Sequence, residues 1–209
     1  MSTLMSEAKL ALPTTAIVVD DEHLVAQGIA SAVRSLGIDV LGVEPDSERA
    51  LQSIEDTAPA IALLDIRMPG EDGLELAKRL WMSNAIPSVI ITAYAAAEYL
   101  ERAQQPGVFG YALKPVVEEQ LLVSLSIAWS RYAATLDDAN RVIQLETSLA
   151  NRRIVESAKW LLVAEHAMSE PSAHSWLQQR ARSTRRPIAE VAEDVIEKRE
   201  IPETMARDT

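Results

Sequence analysis

The sequence predicts an α/β domain built on a doubly wound, five-stranded parallel sheet, followed by an all-α region. Five short apolar runs alternate with segments of helical periodicity in the first 130 residues, and parallel neighbours in a sheet need crossovers of this kind. After Glu118 the sequence has no further run of strand type, and no glycine occurs after Gly110. With 48% hydrophobic residues, the chain has the composition of a globular protein that can bury a sizeable core.

The apolar runs define the predicted strands, because each is continuous and is followed by acids or turn residues, as buried strands of a parallel sheet are. The predicted strands cover residues 16–19, 40–43, 61–64, 88–92 and 108–113. Helices are predicted between them from apolar residues at helical spacing. These helices cover about 24–36, 47–54, 74–80 and 95–105.

The second half of the chain has only helical periodicity. From Leu122 to Ile143 apolar residues recur at intervals of three and four, which is the pattern of a coiled-coil seam. The alternative is one amphipathic helix that packs on its own first domain. Later helices are predicted at about 152–166, 172–182 and 187–198. The expected organisation is a flexible tail at 1–14, the α/β domain at 15–130, a coiled-coil connector at 131–151, a three-helix domain at 152–200 and a tail at 201–209.

Charge is divided unevenly along the chain. The net charge is −11, of which residues 1–130 carry −10, whereas residues 152–186 carry +4. This distribution argues against a protein that binds nucleic acid over its whole surface but leaves room for a local basic patch. The absence of cysteine excludes disulfides and cysteine-ligated metals. No apolar span or signal peptide is evident, so we expect a cytoplasmic protein that does not bind membranes.

Reactive side chains follow four of the predicted strands. They are Asp20 and Asp21, Asp65, Thr92 and Lys114. Because the carboxyl ends of parallel strands lie along one edge of the sheet, these groups are expected to converge. Three carboxylates at one edge repel one another unless a cation neutralises them, and Mg²⁺ suits such a site. Each residue alone could be an ordinary polar cap, but together they favour phosphoryl transfer to a carboxylate.

Four motifs occur in order along this region: Val-Asp-Asp-Glu, Leu-Asp-Ile-Arg-Met-Pro-Gly, Ile-Thr-Ala and Leu-Lys-Pro. With these motifs, residues 15–130 resemble a response-regulator receiver domain, the flavodoxin-like phosphoacceptor module of two-component signalling. The resemblance implies a sensor histidine kinase as the partner. It also implies a Mg²⁺ site formed by Asp20, Asp21 and Asp65, with the backbone carbonyl of Arg67 as a further ligand.

The same resemblance assigns roles in the phosphorylation itself. Asp65 would be the phosphorylated aspartate, and Thr92 and Lys114 would contact the phosphoryl group. Tyr111, three residues before the lysine, matches the aromatic residue that rotates inward in the phosphorylated state. The alternative for Tyr111 is a half-buried strand tyrosine without a switching role.

Basic residues of the second half fall into two groups. They are Arg152, Arg153 and Lys159 in the first group, and Arg180, Arg182, Arg185 and Arg186 in the second. Basic residues beside small or polar ones fit contacts with phosphate groups and salt-dependent binding. The alternative is a solvated helix face with ion pairs one turn apart.

The order of small, basic and apolar residues in this half has a further resemblance. The matching pieces are Arg153-Ile154, Ala158-Lys159, Leu161-Leu162, Met168-Ser169-Glu170-Pro171, Ala173, Trp176-Leu177, Arg180-Ala181, Val191-Ala192 and Val195-Ile196. With them, residues 141–200 resemble the ANTAR domain, an RNA-binding antitermination module. Two positions depart from its pattern, since Trp160 and Ala167 stand where glycine is common. The resemblance implies binding to paired RNA stem-loops, each with a loop of six nucleotides.

We therefore expect a response regulator in which phosphorylation of Asp65 favours a homodimer that binds paired RNA hairpins through basic residues of the second half. One alternative is a DNA-binding response regulator, although no short glycine-containing turn separates the last two helices. Another is a basic face that binds an acidic protein. An enzymatic output is not expected, because the second half has no nucleophile–base or metal constellation.

Overall fold

A computed structural model describes residues 11–93 and 105–198. The chain forms two compact units, Met1–Leu136 and Asp137–Thr209. The helix predicted at 95–105 lies outside the described residues except for Gln105, and so do most of the predicted N-terminal tail and the whole C-terminal tail. Within the described ranges, no helix is long and apolar enough to cross a lipid bilayer.

The first unit contains the predicted parallel sheet. Its strands are β1 (Thr15–Val19), β2 (Asp39–Glu44), β3 (Ile61–Asp65), β4 (Ser88–Thr92) and β5 (Val108–Leu113). They pair in parallel in the order β2-β1-β3-β4-β5. The helices between them are α1 (His23–Ser35), α2 (Ser47–Thr57) and α3 (Gly73–Asn84). The predicted doubly wound α/β fold is confirmed.

Helices cover both faces of this sheet, which is why the strands are apolar on both sides. On one face, Val33 of α1 and Leu121 and Leu125 of the helix after β5 pack in a core with the strand residues. On the other face, Ile54 of α2 and Leu80 of α3 close a second core. The carboxyl ends of the strands are left as the edge at which polar side chains can meet.

The helix after β5, α4, runs without interruption over Glu118–His166 and belongs in part to each unit. The coiled-coil seam predicted from Leu122 onward is wrong for the first part of α4. Leu125 is completely buried and Tyr132 packs against the same core, so these residues contact their own sheet and cannot form a seam with another chain. The alternative prediction, a helix that packs on its own domain, holds for this part.

Further along α4, the apolar side chains are exposed. They are Leu136, Val142, Ile143, Leu145 and Leu149. Apolar side chains at helical spacing that remain in solvent are typical of a surface that meets a partner. The coiled-coil connector therefore stays a prediction that applies from about Leu136 onward.

The second unit packs the end of α4 against α5 (Glu170–Thr184) and α6 (Ile188–Lys198). Its core contains Ala158 and Leu162 of α4, Leu177 of α5 and Val195 of α6. Between α4 and α5, Ala167 adopts a left-handed conformation with φ of 52°, which costs a residue with a Cβ more than it costs glycine. The three-helix architecture predicted for this region is present.

Candidate functional site

Three carboxylates meet where β1 and β3 end. The two strands are hydrogen-bonded neighbours, so Asp20 and Asp21 after β1 lie beside Asp65 at the end of β3. Oxygen atoms from the three side chains lie within 4.8 Å of one another. Asp20 and Asp65 are buried, whereas Asp21 is exposed. The sequence prediction that these residues converge agrees with this geometry.

Lys114, one residue beyond β5, completes the cluster. Its Nζ lies 2.8 Å from Oδ2 of Asp20 and 3.0 Å from Oδ1 of Asp65. Burial lowers the pKa of Lys114, but the hydrogen bonds and negative charges of the two aspartates outweigh burial and leave the pKa above its usual value. The side chain is therefore an ammonium ion whose position is fixed by two acids.

The carboxyl group of Asp65 is oriented on both oxygens. Oδ1 contacts Lys114, and Oδ2 accepts a hydrogen bond of 3.2 Å from the backbone N–H of Arg67. Burial raises the pKa of Asp65, and the nearby charge of Asp20 adds to this, while Lys114 and the Arg67 N–H act in the opposite direction. A carboxylate in such surroundings is stabilised further by any cation that joins the cluster.

An open recess of about 410 Å³ lies over these groups. Its walls include Asp21, Asp65, Arg67, Thr92 and Lys114, so the recess brings together residues predicted at four different strand ends and one loop residue. Thr92 is buried at the end of β4. The recess has room for a tetrahedral phosphoryl group next to Asp65.

The chemistry of the donors fits Mg²⁺. The acidic cluster offers three carboxylates against one ammonium, which leaves uncompensated negative charge at a partly buried site. Mg²⁺ prefers oxygen ligands and keeps several of its waters, and the exposed side of Asp21 leaves space for them. The carbonyl of Arg67 stays a predicted ligand.

Tyr111 lies on β5 with a half-buried ring. Its hydroxyl is buried and has no hydrogen-bond partner within the described ranges of the chain. Burial raises the pKa of Tyr111 to about 12, although the positive charge of Arg131 acts to lower it. The phenol is therefore neutral, and its switching role stays a prediction.

Gly73 is a structurally required residue of this site that the sequence prediction does not single out. Its N–H donates a hydrogen bond of 3.0 Å to the carbonyl of Ile66. A Cβ at this position would lie 1.9 Å from the carbonyl oxygen of Asp65, so only glycine fits. The sequence does contain one indication that a helix begins at Gly73. The preceding residue, Asp72, is of a type that often caps helices, and its side chain accepts hydrogen bonds from the N–H groups of Leu74 and Glu75.

In the second unit, Lys159 is enclosed by acids. Its Nζ lies 2.9 Å from Glu156 and 2.8 Å from Glu170, and the side chain is only 10% exposed. The hydrogen bond to Glu170 and then that to Glu156 raise the pKa of Lys159 above its usual value. Lys159 connects α4 to α5, and its predicted contact with RNA would have to compete with these pairs.

Arg186 is engaged in a similar way, because its guanidinium pairs with Glu190 and Asp194 of α6. The other predicted basic residues have exposed side chains. They are Arg152 and Arg153 on α4, Arg180 and Arg182 on α5, and Arg185 after α5. Exposure does not separate these five arginines from Arg186, whose side chain is 42% exposed. The two tryptophans of this unit differ, since Trp176 packs against the core and Trp160 is 72% exposed.

Comparison with known families agrees with both units. The first unit matches the response regulator receiver domain over residues 16–126, and the ANTAR domain matches residues 144–196. The receiver match covers more than half of the chain, so the protein is a two-component response regulator. More particularly, it belongs to the response regulators in which the receiver is followed by an ANTAR domain, the RNA-binding antitermination output.

Individual relatives support this assignment. The transcriptional regulatory protein PdtaR of Mycobacterium tuberculosis is 31% identical over 192 residues, which is 92% of this chain and 94% of the relative. The positive alginate biosynthesis regulatory protein of Pseudomonas aeruginosa is 43% identical over 54% of this chain and 46% of its own length. Among solved structures, the signal receiver domain of a modulated diguanylate cyclase from Desulfovibrio desulfuricans is 36% identical, with a TM-score of 0.54 and coverage of 60% of this chain and 99% of that one.

Proposed function

We propose that a sensor histidine kinase phosphorylates Asp65 and that this event controls RNA binding by the ANTAR unit. The observation that carries the proposal is the position of Asp65, whose carboxylate lies in an open recess beside two further aspartates and is held by Lys114. Neither the receiver nor the ANTAR description is that of an enzyme, so the chain accepts a phosphoryl group and passes on the signal. Its expected location is the cytoplasm, where kinase and RNA are both available.

The proposed phosphorylation uses groups that are already in place. An oxygen of Asp65 forms a bond to phosphorus while the bond between phosphorus and the donor breaks, which leaves an acyl phosphate on Asp65. Asp20, Asp21 and Asp65 would hold Mg²⁺, which neutralises the charge of the incoming phosphoryl oxygens when bound. Lys114 and Thr92, which also line the recess, would contact those oxygens.

Phosphorylation would then change the charge and contacts at the ends of β4 and β5. Thr92 and Tyr111 are placed to respond, one at the end of β4 and the other on β5. A shift of this kind would favour pairing of two chains through the exposed apolar side chains of α4 from Leu136 onward. Two ANTAR units in one dimer would bind two hairpins of the same RNA with raised avidity.

The experiment compares Asp65→Asn with Asp39→Asn, a matched change at an exposed aspartate of β2. Each full-length protein is incubated with acetyl phosphate and Mg²⁺, and phosphorylation, sedimentation and affinity for an RNA with two six-nucleotide hairpin loops are measured. We expect Asp65→Asn to abolish phosphorylation and the accompanying gain in dimer and RNA affinity, and Asp39→Asn to retain all three.

Equal RNA affinity of the unmodified protein with and without acetyl phosphate would contradict the control by phosphorylation. Phosphorylation of Asp65→Asn to the normal extent would contradict the assignment of the site. Displacement of the labelled RNA by an equal amount of duplex DNA would instead favour the DNA-binding alternative.

A further inference from the structure

Trp160 has an unusual position for a large apolar side chain. The indole is 72% exposed, although burial of a tryptophan side chain is among the most favourable contributions to packing. It is a residue of the ANTAR unit, on the last part of α4. An exposed aromatic ring in a nucleic-acid-binding unit has a clear use, because it offers a flat face to a base.

The backbone that carries this ring is firmly held. Ala158 and Leu162, two residues before and after Trp160, are completely buried in the core of the unit. Lys159, the preceding residue, is held by Glu156 and Glu170. The indole therefore projects from a fixed turn of helix, so a base that stacks on it does not have to order the protein backbone.

The ring lines two recesses of different character. One is a groove lined by Trp160 together with Leu149, Arg152, Arg153, Glu156 and Ser157. The other, of about 110 Å³, is lined by the indole with Glu156, Lys159, Val163 and Glu170. The two arginines lie about two helical turns before Trp160, or roughly 10 Å along the helix axis. A cationic groove with an aromatic platform at its end is the usual combination for binding unpaired nucleotides.

Glu156 lies in the same groove, but its carboxylate pairs with Lys159 at 2.9 Å, so the repulsion of a nearby phosphate is reduced. A second copy of the chain is the other conceivable occupant, because Val142, Leu145 and Leu149 share this face of α4. Between Leu149 and Trp160, however, the face carries Arg152, Arg153 and Glu156. A helix-to-helix seam continued to Trp160 would have to desolvate these charges.

We propose that Trp160 stacks against an unpaired loop base of the bound RNA and thereby strengthens binding of the hairpin loop. The inference rests on the proposed function, in which the ANTAR unit binds hairpin RNA. Arg152 and Arg153 would contact the phosphates on the side of this base that faces the groove. Sequence is read from RNA chiefly at such unpaired bases.

The test uses the full chain, treated with acetyl phosphate and Mg²⁺, and a pool of RNA hairpins with randomised six-nucleotide loops. Hairpins selected by the unmodified protein are then measured with Trp160→Ala, with Trp160→Phe and with Leu145→Ala as the matched change of an exposed apolar residue on α4. Each loop position of the selected RNA is also replaced by an abasic nucleotide. Sedimentation of every variant reports self-association.

We expect Trp160→Ala to weaken binding by about tenfold, and Trp160→Phe to retain most of the affinity because the aromatic face remains. At one loop position, the abasic RNA should lose about tenfold with the unmodified protein but little more with Trp160→Ala. Leu145→Ala should not show this coupling to a single loop position.

Three results are distinguishable from this expectation. Equal affinity of Trp160→Ala and the unmodified protein for the selected hairpin overturns the stacking role while RNA binding stands. Loss of self-association and of affinity in both Trp160→Ala and Leu145→Ala, without coupling to any loop position, also overturns it and assigns Trp160 to a contact with a second copy. If the unmodified protein selects no hairpin from the pool, the proposed function itself fails.

Discussion

Each unit of the protein holds one lysine between two carboxylates, and the two arrangements have different consequences. Lys114 lies 2.8 Å and 3.0 Å from its two acids, and Lys159 lies 2.9 Å and 2.8 Å from its own. The acids of Lys114 are buried, with side chains 1% and 11% exposed, whereas those of Lys159 are 48% and 72% exposed. Similar distances therefore occur in very different dielectric surroundings.

The difference shows why geometry alone does not define a site. Around Lys114, a third carboxylate leaves negative charge that a cation can neutralise, and the recess leaves space for a phosphoryl group. Around Lys159, solvent screens two acids that are already paired, so the arrangement mainly joins α4 to α5. We thus expect substitutions at the two lysines to separate signalling from architecture.

The largest contrast is expected between Lys114→Met and Lys159→Met. Lys114→Met should abolish the gain in RNA affinity that phosphorylation produces, because the ammonium group that would contact the new phosphoryl oxygens is missing. Lys159→Met should retain that gain, since methionine can fill the space of the buried stem. RNA titrations with and without acetyl phosphate measure both. A retained gain in Lys114→Met would place the control elsewhere in the receiver.

A second contrast concerns which cations contact RNA. The double change Arg152→Gln and Arg153→Gln should lower the slope of log affinity against log salt by about two, one for each lost phosphate contact. Lys159→Gln should leave the slope almost unchanged, because its charge is already paired with two carboxylates. Salt titrations of a labelled hairpin measure the slopes. If Lys159→Gln lowered this slope by about one, Lys159 would have to leave its two acids to bind RNA.

A smaller effect is expected in the turn that brings Glu170 near Lys159. Ala167 lies in this turn with a left-handed backbone, so Ala167→Gly should raise the free energy of unfolding of the ANTAR unit by about 0.5–1 kcal/mol. Ala164→Gly, a matched change at an exposed position within α4, should lower it by about 1 kcal/mol. Hydrogen exchange of amides in α5 measures both changes. A loss of stability in Ala167→Gly would show that the turn carries no strain.

The smallest effect is a pH dependence of the Lys159 pairs. The hydrogen bond with Lys159 lowers the pKa of Glu170 below its usual value of 4.5, so the pair stabilises the fold above that value and is lost as the pH falls through the lowered pKa. Melting curves between pH 5 and 3 should therefore decline slightly more steeply in the unmodified protein than in Glu170→Gln. Identical pH profiles would mean that solvent screening removes the contribution.

How much the sequence can predict differs between the two units for a physical reason. All strands of a parallel sheet end at the same edge. Once the strands are recognised, this is enough to predict that Asp20, Asp65 and Lys114, which stand at or just after strand ends, lie close together. On a helix, charge spacing does not reveal the partner. The basic pattern predicts that Lys159 and Arg186 contact RNA, yet both are paired with carboxylates.

Periodicity has the same limit in α4. Residues 122–143 have one continuous apolar spacing, but Leu125 contacts the sheet of its own unit whereas Leu136 and Ile143 are exposed. Spacing identifies the face of a helix and not what covers it. At Ala167, the departure from glycine puts a left-handed turn in doubt, yet the turn is present with φ of 52°.

The tight fit at Gly73 has a consequence for genetic mapping of this protein. A side chain at this position would collide with the backbone of Asp65, the proposed site of phosphorylation, so substitutions there should silence the regulator as completely as changes to Asp65. A genetic screen that scores loss of signalling would then place Gly73 with the residues that take part in phosphorylation, although Gly73 contributes no reactive side chain. Protein abundance and the ability of each mutant chain to take up a phosphoryl group would have to be scored separately to tell the two kinds of position apart.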